Sequence, residues 1–150
     1  MTESRITAIH EAAHAVAAIR AGLVFNHVTA IPDEFEETEG ALHWSDLQAS
    51  GDLEVPPELL AVVLLAGPCA EARVTRREVD EVFTDEEAAD DREALAGLML
   101  NKDQFVAASL EALALVDRDW TLIERIAERL LDVDTLDYED VAATVQSSGA

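Results

Sequence analysis

Three residues near the start of the chain have the types and spacing of a metal-dependent hydrolytic centre. His10, Glu11 and His14 form the pattern H-E-x-x-H. Histidines four residues apart lie on one face of a helix, so their imidazole rings can hold one metal ion together. The glutamate after the first histidine lies beside the same ion, where its carboxylate can accept a proton from water. The pattern therefore predicts a metal centre with Glu11 as general base.

The flanking sequence bears on the alternative interpretation, which is a surface histidine pair on an amphipathic helix. Ile6, Ile9, Val16 and Ile19 recur at helical spacing, and alanines fill most of the other positions. A helix with so few surface polar residues is mostly buried. Buried histidines need partners, and a metal ion is a good partner. The context therefore favours the metal centre.

Length, composition and charge limit the classes of function. The chain has 150 residues, of which 49% are hydrophobic, so residues 1–150 are expected to form one domain with a core. The formal net charge is −22. Nucleic acid and anionic membrane surfaces are disfavoured as partners, because both require clustered Lys and Arg.

The cysteine count and the hydropathy indicate a cytoplasmic protein. Cys69 is the only cysteine, so no internal disulfide is expected, and its apolar neighbours favour a core position. The start of the chain lacks the charged and then apolar pattern of a signal peptide. The longest apolar run, residues 59–66, is too short to span a bilayer.

Hydrophobic periodicity and cap signals predict an α+β fold that is mostly α-helical. It is expected to be a bundle of about five helices with a small β-sheet next to the helix of the H-E-x-x-H pattern. Capping boxes at Thr84/Glu87 and at Asn101/Gln104 indicate two helix starts. The helices are predicted over residues 4–21, 58–73, 84–100, 101 to about 130 (with a break near 117–119) and 137–145. Strands are predicted over 24–31 and 41–45, a loop over 48–57 and a charged connection over 76–83.

Five stretches, in order along nearly the whole chain, together resemble the protease domain of the FtsH family of ATP-dependent zinc metallopeptidases. Residues 10–15 (HEAAHA) resemble its H-E-A-G-H-A, residues 27–32 (HVTAIP) its K-V-T-I-I-P, and residues 41–45 (ALHWS) its A-L-G-Y-T. Residues 65–71 (LAGPCAE) resemble L-x-G-R-A-A-E, and 127–137 resemble A-E-A-L-L followed by T-L-D. The resemblance implies a freestanding zinc peptidase module, because the sequence has no phosphate-binding G-x-x-x-x-G-K-[ST] loop.

The resemblance also implies a third zinc ligand, an aspartate near the start of a later helix. Asp90 fits the spacing to the following alanine, whereas Asp91 fits the alanine pair before it and the leucine after it. Asp85 is a more distant candidate. The alternative is that these acidic residues only cap a helix N-terminus, where negative charge is favourable.

Further residues are placed in or near the site by the same resemblance. Glu71 is either the partner of a ligand histidine's second nitrogen or one side of a helix-end salt bridge. Leu42, His43 and Trp44 correspond to the family's edge strand, where an extended peptide substrate would add a strand. The alternative is an edge strand with one aromatic residue in the core.

The function predicted from these features is zinc-dependent endopeptidase activity on unstructured or partner-delivered polypeptides. Zn²⁺ is the expected cofactor, and a peptide or unfolded protein is the expected substrate. The interpretation allows a separate unfoldase partner or a homo-oligomer. Two alternatives stay open: a catalytically inactive binding module with an FtsH-like protease fold, and a metal-dependent enzyme acting on a non-peptide substrate.

Overall fold

The computed structural model describes residues 3–25, 27–29, 41–42, 48–49, 56–83 and 89–147. Their helices are α1 (Glu3–Arg20), α2 (Pro57–Thr75), α3 (Val79–Phe83), α4 (Ala89–Gly97), α5 (Lys102–Arg118), α6 (Trp120–Val133) and α7 (Tyr138–Ser147). Their strands are β1 (Leu23–Val24), β2 (His27–Thr29), β3 (Ala41–Leu42), β4 (Gln48–Ala49) and β5 (Thr135–Asp137). The predicted α+β class, mostly helical, is confirmed. None of the described helices combines the length and the apolar character that crossing a membrane requires.

Helix α1 runs through the middle of the core. Every residue from 8 to 18 is buried, because alanine and β-branched residues occupy almost the whole circumference of the helix. Helices α2 and α6 pack against it. The helix ends at Arg20, one residue before the predicted end, and Gly22, the predicted terminating residue, has a φ of +78°, a left-handed conformation that glycine adopts without steric cost.

Helix α2 lies between α1 and α5 and contacts both. Pro57 occupies its first turn, where the missing N–H costs nothing, and Arg76 ends it in a left-handed conformation. The capping box that starts α5 is present: Asn101 accepts from the Gln104 amide at 2.8 Å, and Gln104 accepts from the Asn101 amide at 2.9 Å. The predicted break near residues 117–119 is confirmed by the boundary between α5 and α6.

The strands form two small antiparallel sheets. Strand β1 pairs with β4, and β2 lies between β3 and β5 in a three-stranded sheet. In that sheet Val28 pairs with Leu42 on one side and with Leu136 on the other. Both β2 and β3 contact α1, so the sheet lies next to that helix, as predicted.

The structure corrects several predicted boundaries. The strand predicted over 24–31 is divided at Phe25, since β1 and β2 belong to different sheets. The predicted loop over 48–57 contains β4, and the predicted connection over 76–83 contains α3. Helix α4 ends at Gly97, before the predicted residue 100, and Met99 has a φ of 52°, which no right-handed helix contains. These short elements depend on tertiary contacts that local periodicity does not encode.

Candidate metal centre

Helix α1 places His10 and His14 one turn apart on the side that faces α2. Their Nε2 atoms lie 3.0 Å from each other, and the two rings meet edge to face with centroids 4.7 Å apart. His14 is 1% exposed and His10 is 7% exposed. The spacing of four residues therefore brings the two ring nitrogens together inside the protein rather than on its surface.

The other ring nitrogen of each histidine is already engaged. Nδ1 of His14 donates to the carbonyl oxygen of Val63 at 2.7 Å, and Nδ1 of His10 donates to Oε1 of Glu71 at 2.9 Å. A carbonyl and a carboxylate can only accept, so both Nδ1 atoms carry the hydrogen. In the neutral form of each ring, Nε2 then presents a lone pair.

The two Nε2 atoms, 3.0 Å apart, either share a hydrogen bond in which one ring is the donor or bind one metal ion together. Zinc bonds imidazole nitrogen at about 2.0–2.1 Å, and tetrahedral angles then separate two such nitrogens by roughly 3.3 Å. The observed separation is within a few tenths of an ångström of that value. Metal-bound histidines in proteins have the same arrangement: one ring nitrogen binds the metal, and the other donates its hydrogen to a carboxylate or a backbone carbonyl.

Glu11 completes the described cluster. Its carboxylate and the two imidazoles offer ligand atoms that all lie within 4.8 Å of one another, and its residue is 6% exposed. A carboxylate at this distance from two histidine nitrogens can act on a water molecule held between them. Among the residues that the structure describes, this is the group of histidine and acidic side chains with the geometry to hold an ion.

Gly67 of α2 is the point where the second helix approaches the histidines. A Cβ built on Gly67 would overlap Nε2 of His14 and would lie 2.8 Å from Nε2 of His10. Pro68 follows and has no N–H to donate to the carbonyl of Leu64, so the backbone ladder is interrupted beside Val63, whose carbonyl binds His14. Only glycine lets α2 pass this close to both rings.

Sequence reasoning assigned no role to Val63 or Gly67, although a signal for Gly67 was present. Glycine inside an apolar helix costs about 1 kcal/mol relative to alanine, so its presence in residues 58–73 calls for a packing reason. The role of Val63 had no signal, because a backbone carbonyl contributes the same atom whatever the residue.

The structure describes some of the other predicted site residues but not all of them. Glu71, on α2, lies against His10 with 13% of its side chain exposed. Asp90 and Asp91 lie in the first turn of α4, which packs against α2, but their side chains are outside the described part, as is Asp85. Leu42 lies on β3, an edge strand of the described three-stranded sheet, whereas His43 and Trp44 are outside the described residues.

Cys69 lies two residues beyond Gly67 and does not contribute a reactive thiolate. Burial raises the pKa of its thiol from 9.0 to about 12, so the side chain is a neutral thiol at neutral pH. Its position in the hydrophobic core agrees with the sequence prediction. The chemistry available at this centre is therefore that of the imidazoles and the carboxylates.

Comparison of the sequence with protein-family models and with curated proteins gave no match.

Proposed function

We propose that the chain is a zinc-dependent endopeptidase with a protease domain of the FtsH type. The observation that carries the proposal is the approach of the two Nε2 atoms to 3.0 Å inside the protein, with both Nδ1 atoms donating to acceptors on α2. The carboxylate of Glu11 beside them supplies a base. Neither a core histidine pair nor a surface pair requires both features together.

His10 and His14 would hold the ion, and α4 would supply the third ligand through Asp90 or Asp91. Zinc, when bound, lowers the pKa of a coordinated water to about 7 and polarises the carbonyl of the scissile bond. Glu71 keeps the ring of His10 oriented and makes it more basic. The Val63 carbonyl does the same for His14.

Glu11 would carry the proton transfers. Its carboxylate accepts the proton of the water that attacks the peptide carbonyl and then donates it to the leaving amine. The substrate would lie extended along β3, adding a strand to the sheet beside Leu42, His43 and Trp44. An unfolded polypeptide is therefore the expected substrate, because only an extended chain can pair its backbone with the edge of a sheet. We assign this activity to the cytoplasm.

Zinc content and cleavage of casein by the full chain test the proposal. The wild-type protein should bind one zinc ion per chain and cleave casein. Glu11→Gln should keep the zinc and lose about 10²–10⁴-fold in cleavage rate, since it removes the base and leaves both ligand rings in place. His14→Ala should lose the zinc. Asp90→Ala and Asp91→Ala identify the third ligand, because only the ligand variant should lose metal affinity.

The control for this experiment is metal addition to chelator-treated protein. Stoichiometric zinc binding without cleavage would assign the chain to the inactive binding module. A protein that binds no zinc would leave a proton between the two histidines and would overturn the proposal. If Glu11→Gln cleaved casein at the wild-type rate, Glu11 would have no role in the mechanism.

A further inference from the structure

Helix α5 is apolar on two opposite sides. Ala108, Ala112, Leu115 and Val116 are buried on the side that faces the core. Val106, Leu110 and Leu113, spaced i, i+4 and i+7, form a second line on the opposite side, which we name the outer stripe. Their exposed fractions are 46%, 63% and 45%.

The outer stripe is unusual within this molecule. Four of the eight large apolar side chains that are exposed among the described residues lie on α5, the fourth being Phe105. Phe105 also lines a pocket of about 530 Å³ next to the stripe, with Leu95, Met99 and Leu100. A line of exposed large apolar side chains of this kind marks an interaction site.

The charges at the two ends of the stripe indicate which partner fits. Lys102 and Asp103 lie at its start, and Asp117 and Arg118 lie at its end. At 3.6 residues per turn, Asp103 and Arg118 share one flank, whereas Asp117 lies close to the line of the stripe. Asp117 also pairs with Arg73 of α2 at 2.9 Å, and Arg118 lies 3.6 Å from Asp119, but 80% of the Asp117 side chain and 59% of the Arg118 side chain remain exposed to a further partner. Each end of α5 thus presents one positive and one negative side chain, arranged so that the stripe is complementary to itself when reversed.

We propose that a second copy of this chain covers the outer stripe, with the two α5 helices antiparallel across a twofold axis near Leu110. In this arrangement Lys102 lies beside the partner's Asp117, and Asp103 lies beside the partner's Arg118. The symmetry repeats both pairs. An acidic partner of a different kind would satisfy only the positive charges, and a basic partner only the negative ones.

The size of the surface sets the strength of the dimer. A helix of 17 residues is about 25 Å long, and a single face of it is smaller than the roughly 800 Å² that each partner buries in a standard interface. The formal charge of −22 on each copy adds repulsion, which salt at about 0.15 M screens beyond about 8 Å. The dimer is therefore weak and reversible.

Sedimentation velocity of the full chain at 0.15 M salt, from about 1 µM to 1 mM protein, tests the proposal. The wild-type protein should pass from monomer to dimer within this range. Leu110→Glu should shift the transition beyond the highest concentration, because the two introduced carboxylates would be buried against each other at the twofold axis. Val133→Glu, at a residue of α6 with 51% exposure, is the matched control and should dimerise as the wild type does.

Charge reversal tests the antiparallel arrangement. Lys102→Glu should weaken the dimer, and the double variant Lys102→Glu with Asp117→Lys should restore it, since both pairs are then reversed together. A monomeric wild-type protein, or a dimer that Leu110→Glu does not weaken, overturns the proposal. Failure of the double variant to restore dimerisation overturns it as well. Zinc content should be the same in all these variants, so the outcome is independent of the proposed peptidase activity.

Discussion

Helix α1 carries two polar clusters that differ in the partners of their side chains. At its C-terminal end, Arg20 donates two hydrogen bonds of 3.1 Å to the two carboxylate oxygens of Asp119, which is 7% exposed. In its middle, His10 and His14 each satisfy one nitrogen and direct the other at its counterpart. The first cluster is a charge pair made within the chain, whereas the second brings together two nitrogens that could hold a metal ion.

The difference separates a structural polar cluster from a ligand site. A buried charge that finds a full partner within the chain stabilises one packing of the helices and has no capacity left for a ligand. Two imidazole nitrogens that meet inside the protein can instead bind one metal ion together. Variants at the two clusters should therefore have different effects. Those at the histidine cluster should change metal affinity, and those at the Arg20–Asp119 pair should change the free energy of unfolding.

The largest effect is expected from Gly67→Ala. Alanine is the better helix former, yet its Cβ would overlap His14 and crowd His10, so one ring must leave its position. We expect the loss of stoichiometric zinc binding, measured by calorimetry and by metal analysis of the purified protein. Gly97→Ala is the matched control, because a Cβ at Gly97 meets no atom within 4 Å, and it should bind zinc as the wild type does. Full zinc affinity in Gly67→Ala would contradict the packing described for α2.

A smaller effect on the same cluster is expected from Glu71→Ala. Removing the carboxylate leaves Nδ1 of His10 without its acceptor, so the orientation and basicity of the ring decrease. Zinc affinity should fall about 10–100-fold, while the metal still binds at high concentration. Glu71→Gln, which keeps an acceptor oxygen but not the charge, should lie between the two. Equal affinities for Glu71→Ala and the wild type would exclude this support role.

Asp119→Asn tests the Arg20–Asp119 pair. The amide keeps one acceptor oxygen for Arg20 but loses the charge that holds the guanidinium in two bonds. Since Arg20 is partly exposed, we expect a decrease of about 2 kcal/mol in the free energy of unfolding rather than the full cost of a fully buried pair. Zinc affinity should not change. A decrease in zinc affinity without a decrease in stability would show that the two clusters are not separate.

The smallest effect is expected from Cys69→Ala. Because burial raises its thiol pKa to about 12, Cys69 carries no thiolate below pH 10 and cannot act as a nucleophile or compete for the metal. Zinc content and cleavage rate should equal those of the wild type from pH 6 to 9, and the stability loss should be about 1 kcal/mol from the deleted sulfur. A fall in cleavage rate would assign the thiol a role that its burial argues against.

Local signals in the sequence predicted the long elements of the fold correctly. Glycine at position 22, the capping box at Asn101 and the interruption near residue 118 each depend on a few neighbouring residues, so they could be recognised in the sequence. The pairing of the strands could not be recognised in the sequence. Strand β4 is only two residues long and exists because β1 lies opposite it, and the division at Phe25 reflects a change of sheet.

The candidate site divides in the same way. The sequence by itself determined that His10, Glu11 and His14 share one helix face, because a spacing of four residues repeats with the helical turn. Only the tertiary structure decided the rest: α2 approaches at Gly67, and the Val63 carbonyl and the Glu71 carboxylate accept the two Nδ1 hydrogens. These contacts join residues about 50 to 60 positions apart, and no local rule of spacing or propensity reaches across that distance.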